Sequence, residues 1–373
     1  MANYDVDRQA QAIRTALAIL GAILLVIGWA RFAVGQDAPP RPRGPIAPIE
    51  PIAAIADAFK TRPVIGMQAG VGHSDARGFA FIISLLRDPR IQSLGVDVAM
   101  ENGSARYQSV MDRYTRGEDV PYSELRHVWD DTTQPQTTSG VGDVNPIYRA
   151  IREINATLPR DRQMRALLGD PPIEWENVDS RADFQKWLAL RDSSGASVIQ
   201  RESLAKGRHV LVIYGFMHLQ RRQQVSNYNM DSEVAQTVIS LLERAGVKTF
   251  IVGTGDETTG MDGWTVPSLA LLRGTTLGAT DVPEGPLPRV TVQAEGGFVP
   301  LPREQWIQIR TEEQMDAMLY LGPKATASAV PPPLSPTICR DPGYLDTRLA
   351  RMALTGIPQF EADRLKQFCA GVK

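Results

Sequence analysis

Cysteine and histidine are scarce in this sequence, with two of the first and four of the second among 373 residues. Two cysteines, Cys339 and Cys369, exclude a disulfide-dense scaffold and allow at most one bridge, near the C-terminus. That bridge would close a loop of about 30 residues and contribute about 3 kcal/mol in the chain-entropy view; two separate thiols are the alternative. Charge of one sign is not in excess either. The formal net charge is −2 and the isoelectric point near 6.2, and no basic stripe is interleaved with aromatics, which excludes a field suited to phosphate backbones. Nucleic acid is therefore not an expected partner. No internal repeat is present, which excludes a repeat architecture.

A long uncharged apolar run occurs once, as ALAILGAILLVIGWA from Ala16 to Ala30. Its 15 residues would span about 22 Å as a helix, short of a hydrocarbon core of about 30 Å unless Arg31 snorkels. Such a length suits a signal-peptide core, and Ala33-Val34-Gly35 offers a small-x-small cleavage triplet. Asp5 and Asp7 beside Arg8 and Arg14 suit a signal poorly, so an uncleaved anchor is the second reading. Both expect the rest of the chain beyond the membrane: anchored and facing outside the cytoplasm, or secreted or periplasmic. Residues 1–35 then form the signal or anchor and 36–51 a proline-rich spacer. Residues 52–328 form the main domain, and 329–373 a second proline-rich linker with a C-terminal helical extension.

With 43% hydrophobic and 22% charged residues the chain has the balance of a folded protein. Short apolar runs alternate with longer stretches of helical period, the pattern of an α/β fold with a mostly parallel central sheet flanked by helices. Strands are expected at Pro63–Met67, Val96–Met100, Arg165–Leu168, His209–Tyr214 and Lys248–Val252, with shorter late strands at Arg289–Gln293 and Trp306–Arg310. Helices are expected at Arg77–Arg87, Gln108–Arg116, Pro146–Thr157, Arg181–Lys206 with a break near Gly195, and Ser232–Ala245, the last stopped by Gly246. A further amphipathic helix lies around Phe360–Phe368.

One regularity points to a site. His73 follows the first strand, Glu101 the second, Asp170 the third and His218 the fourth, each close to where the apolar run ends. In a parallel sheet those ends share one edge, the edge where open α/β folds bind ligands. A carboxylate closing a buried strand must be paired or hydrogen-bonded, so Glu101 and Asp170 call for partners nearby. Gly70 and Gly72 allow the tight turn that carries His73, and Gly215 lets the backbone turn before His218. Arg191, in WLALRDSSGA, falls on a helix facing the same region. Asp170, Arg77 and Arg106 are the expected substrate-binding residues. His127, in a loop segment containing Tyr and Trp, and His209, at the start of a strand, carry less weight.

This order of residues, clearest in ENGSARYQSVMDRY, LGDPPIEW and GFMHL, resembles the erythromycin esterase-like superfamily, to which the ChaN/Tiki-type proteins also look related. The resemblance spans about Pro63 to Arg222 and implies an α/β core with a mostly parallel sheet. It implies that His73 matches the histidine of a first-strand Glu-x-His, Glu101 the glutamate that closes the second strand, and His218 the last histidine of a His-x-x-His. Two positions depart: Val71 stands where the first glutamate would be, and Gly215 where the first histidine of the pair would be. The expected chemistry is hydrolysis of an ester without a metal. His73 would act as general base on water, Glu101 would orient it, and Arg191 or His218 would steady the oxyanion. No cofactor is expected, since a metal cluster would have to assemble wholly across strands. A non-catalytic protein binding haem or another small molecule on the same fold is the alternative, and either way the partner is a small molecule.

Overall fold

The apolar runs that end in polar residues are strands of one sheet. The computed structural model describes residues 43–68, 75–134, 145–222, 237–280, 309–326 and 339–372, and the backbone of 291–294 and 297–300. The apolar run at 16–30 and His73 lie outside the described residues, as does most of the expected strand at Trp306–Arg310. Among the described residues no helix is long and apolar enough to cross a membrane.

Among the described residues the strands β1 Val64–Gln68, β2 Val96–Ser104, β3 Ala166–Asp170, β4 His209–Tyr214, β5 Thr249–Gly255, β6 Ser268–Leu271 and β9 Ala317–Tyr320 form one sheet. Their order across it is β3-β2-β4-β1-β5-β9-β6. All pairings are parallel except β6 with β9. A separate antiparallel pair joins β7 Thr291–Ala294 and β8 Gly297–Pro300, and β7 overlaps the late strand expected at Arg289–Gln293. Near the end of the expected spacer, Ile49 pairs with Leu269 on β6, and helix α1, Pro51–Phe59, follows.

Both faces of the sheet are covered, as a parallel sheet requires. Along β4, Leu211 and Ile213 enter one core with Phe59, Leu85 and Ile151, while Val210, Val212 and Tyr214 enter the other with Ile199 and Leu242. The first face is covered by α1, α2 (Ala76–Arg87), α3 (Gln108–Thr115) and α4 (Pro146–Asn155). The second carries α6 (Arg191–Glu202) and α7 (Val238–Arg244). Caps fix where several helices begin: Asp75 accepts from Arg77 N–H, Asn145 from Ile147 N–H and Thr237 from Ser240 N–H.

The long helix expected over Arg181–Lys206 is two, α5 (Arg181–Leu188) and α6, and the break falls at Ala189–Leu190 rather than near Gly195. Gly195 lies inside α6 because the helix presses there on β4. A Cβ at Gly195 would stand 2.6 Å from Tyr214 Oη and 3.2 Å from Val238 Cγ2. From the other side a Cβ at Gly169 would stand 1.5 Å from the same oxygen. The Tyr214 hydroxyl is buried in this glycine slot with no hydrogen-bond partner among the described residues. Gly195→Ala is therefore expected to destabilise by about 1–2 kcal/mol, overpacking outweighing the gain in helix propensity. In a Tyr214→Phe background the nearest ring atom is 3.3 Å away, and the same change should become neutral or stabilising. Urea midpoints of the four variants check this; an equal cost in both backgrounds contradicts it.

Past the sheet, α8 (Pro342–Thr355) and α9 (Gln359–Ala370) form a hairpin that turns at Gly356, whose φ is 75°. Cys339 and Cys369 are joined in a disulfide, the first of the two alternatives left by the sequence. Met352 and Leu365 are the buried centre of a small core within this hairpin.

Candidate functional site

Four parallel neighbours, β3, β2, β4 and β1, finish on one edge, and three of their ends carry the expected polar groups. β2 and β3 run in register from Val98↔Ala166 to Met100↔Leu168, then shift so that Ser104 faces Asp170. Extra residues on one strand of a pair bend it and re-aim its side chains. Glu101 is the first residue of that irregular stretch. Gly103 lets β2 pass close to Leu168 and Tyr148, where a Cβ would stand 2.5 Å and 2.9 Å from side-chain atoms.

The Glu101 carboxylate is the junction of the site. Its Oε2 accepts the Gly215 N–H at 2.6 Å, from the turn that leaves β4. Its Oε1 accepts from an Arg191 guanidinium nitrogen at 2.5 Å and from the Gln134 amide at 3.4 Å, and it lies 3.5 Å from His218 Nε2. Arg191 is the first residue of α6, and its Nε also faces Asp170 Oδ2 at 3.9 Å. Asp170 is buried and held by Thr133, which gives its N–H to Oδ1 and its hydroxyl to Oδ2, each at 2.7 Å.

His218 stands on the single helical turn Phe216–Leu219 that follows Gly215. Its Nδ1 meets Asp192 Oδ1 at 2.9 Å, and the same oxygen accepts the Val238 N–H at 2.8 Å, where α7 begins. The Tyr214 ring lies edge-on to the imidazole, 5.9 Å between centroids. Burial lowers the His218 pKa, but the Glu101 charge and the hydrogen bond to Asp192 outweigh it and hold the value at about 9. The imidazole is thus a cation at neutral pH, with a proton on each nitrogen. Burial raises Asp170 to about 6, partly opposed by Arg191 and by the Thr133 hydrogen bonds. Burial also raises the Tyr214 phenol well above its ordinary value, with the Glu101 charge adding to it.

Of the residues expected at the site, Glu101, Arg191, Asp170 and His218 are brought together. Arg77 is engaged elsewhere, on Asp75 and on the Pro323 carbonyl and Thr326 hydroxyl. Arg106 forms an exposed two-point pair with Glu176 at 2.5 and 2.8 Å. His209 bonds the Leu94 carbonyl, and His127 bonds Asp131. Sequence reasoning missed four contributors: Thr133, Gln134, Asp192 and Tyr214. Asp192 had a signal, since it adjoins Arg191 at a helix start; Thr133 and Gln134 had none, because only the fold carries their segment to the rim. Carboxylates also occur away from the rim without forming a site. Asp97, near the start of β2, is fully buried and taken up by Arg208, Ser203 and the Arg165 N–H at 2.8 to 2.9 Å. Among the described residues no group of three or more His, Cys, Asp and Glu side chains is placed to hold a metal ion.

The class defined by this fold is α/β with a mostly parallel sheet and a polar site at the strand ends. No protein-family model matches the chain, and no curated protein matches it. Solved structures to which it is similar include a succinoglycan biosynthesis protein, at 9% identity and a TM-score of 0.46 over 74% of this chain and 94% of that one. They include a mutant of erythromycin esterase EreC in its open conformation, at 10% identity and a TM-score of 0.36 over 72% of this chain and 92% of that one. ChaN of Campylobacter jejuni with cofacial heme is a third, at 10% identity and 0.32 over 54% and 85%.

Proposed function

We propose that the chain is a hydrolase of ester bonds in a small molecule, working beyond the membrane, with His73 as general base on water and the His218–Arg191 pair receiving the oxyanion. The observation that carries this reading is the meeting of two fixed cations on one buried carboxylate oxygen, Arg191 at 2.5 Å and His218 at 3.5 Å from Glu101 Oε1. Cations held in place before charge develops stabilise it without reorganisation. A histidine kept protonated by Glu101 and Asp192 is a poor base and a good donor, so the base must come from elsewhere. β1 ends at Gln68, paired with Tyr214 just before Gly215. His73 is five residues further on in sequence, a reach of up to about 17 Å from that rim. Glu101 would orient the water and the cations, with Asp170 fixing Arg191 from behind. The Ala16–Ala30 run supports export or anchoring, and the Cys339–Cys369 bridge fits an oxidising compartment.

A second reading, binding without turnover, is favoured by one feature: the oxygens of Glu101 and Asp170 already have donors within the protein. The two cations would then recognise an anionic or carbonyl group of a ligand. A panel of esters and lactones tested on the full chain separates the two. On the hydrolase reading His73→Ala lowers kcat/KM by about 10²–10⁴-fold and His218→Gln by about 10²–10³-fold. Turnover untouched by His73→Ala rejects the base; binding with no turnover by the unaltered protein favours the second reading.

A further inference from the structure

The C-terminal hairpin meets the domain through Leu354, packed on the cluster of Ile173, Trp175 and Phe184, and through a set of charged contacts, most of which fall on one short stretch of chain. Arg126 pairs with Asp341 at 3.3 Å and lies over the Tyr344 ring at 4.1 Å. Arg348, fully buried, reaches the Asp130 carbonyl and carboxylate at 3.3 and 3.4 Å. Arg351 bonds Asp131 at 2.6 Å and stacks on Trp175 at 4.7 Å. The Asp131 carboxylate also takes the Tyr107 hydroxyl at 2.6 Å and His127 Nδ1 at 3.0 Å, so it is anchored on both sides. The next residues are Thr132, Thr133 and Gln134, all buried. Thr133 gives both its donors to Asp170, and Gln134 reaches Glu101. A run of five residues, Asp130 to Gln134, thus touches the hairpin at one end and Asp170 and Glu101 at the other.

The hairpin's own core has only Met352 and Leu365 fully buried among the described residues, with partly buried neighbours such as Leu345, Leu349 and Ile357 around them, and small cores of this kind depend on staples. The staple here is the Cys339–Cys369 bridge, and both cysteines are partly exposed, within reach of a reductant. We propose that this hairpin is a redox-dependent positioning element for the rim site, with Arg348 and Arg351 as positioning residues that act through Asp130 and Asp131. With the bridge closed, the two arginines hold the stretch that keeps Thr133 on Asp170 and Gln134 on Glu101. A dithiol reductant supplies two electrons and two protons, becoming a disulfide itself, and leaves Cys339 and Cys369 as thiols. The hairpin then loosens, and the buried stretch loses its outer anchor.

The inference rests on the rim cluster being the working site, but its test reads geometry rather than turnover. Hydrogen exchange is followed on the full chain in oxidised form, after reduction with a dithiol, and after reoxidation. Reduction is expected to speed exchange at least tenfold both across residues 342–370 and at the Thr133 amide, and reoxidation to reverse it. Arg351→Met in the oxidised chain should release the Thr133 amide with the bridge intact, and Arg351→Lys should restore its protection. A hairpin that stays protected on reduction overturns the redox element. A Thr133 amide unmoved in both the reduced chain and Arg351→Met overturns the positioning role. Neither result bears on whether the unaltered protein cleaves esters, and an absence of ester cleavage leaves both exchange results standing.

Discussion

Raising the pH from about 6 to about 10 is expected to remove about 3 kcal/mol of folding stability through His218 alone. Its folded pKa of about 9 stands above the ordinary 6.5. The folded chain therefore binds the proton more tightly than the unfolded chain, by about 1.4 kcal/mol per pKa unit. That stabilisation is complete below pH 6.5, declines as pH rises, and is gone above about 9. Asp170, raised from 3.8 to about 6, adds a decline in the same direction between those values, because its ionised form is disfavoured in the fold. The His218 part is isolated by comparing urea unfolding of the unaltered chain with His218→Gln at each pH, since lysines and tyrosines titrate in both. The advantage of the unaltered chain over His218→Gln should be largest below pH 6.5 and shrink as pH rises to about 9. Parallel curves would show that Glu101 and Asp192 do not hold the imidazole charged.

Arg191→Met should cost about 3–5 kcal/mol, the range for breaking a buried ion pair from one side. Methionine keeps much of the buried stem, so the loss reports the charge more than the packing. Glu101 would keep Gly215, Gln134 and His218 as partners but lose its shortest cationic contact. Asp170, hydrogen-bonded by Thr133, would lose the positive charge that faces it at 3.9 Å. Adding Glu101→Gln should return a substantial part of the loss, because the buried charge left behind is then removed. A double-mutant cycle by denaturant unfolding measures the coupling, expected at about 2–3 kcal/mol. A loss below about 1 kcal/mol would mean that the guanidinium is solvated rather than locked on the rim.

The same features explain what could be read without coordinates. β4 is legible to the residue, His209–Tyr214, because both its faces are buried and a glycine follows. Glu101, Asp170 and His218 are legible because a polar group at the end of an apolar run is an unusual expense in a fold. Other parts depend on contacts distant in sequence. The register shift opposite Glu101 belongs to the β2–β3 pair and has no local signature. Gly195 resembles a helix breaker until Tyr214 is seen against it. β9 is only four residues, Ala317–Tyr320, preceded by the acidic stretch around Glu312 and Asp316. Thr133 and Gln134, in a polar stretch that reads as loop, reach Asp170 and Glu101 across 37 and 33 residues of chain.

Titration of imidazole ¹⁵N resonances in the full chain tests the rim cluster most directly, with His218 assigned by its loss in His218→Gln. At pH 7 both His218 nitrogens should carry protons, the midpoint should lie near 9, and Glu101→Gln should bring it down towards 6.5. A His218 that titrates near 6.5 in the unaltered chain, indifferent to Glu101, would contradict the account.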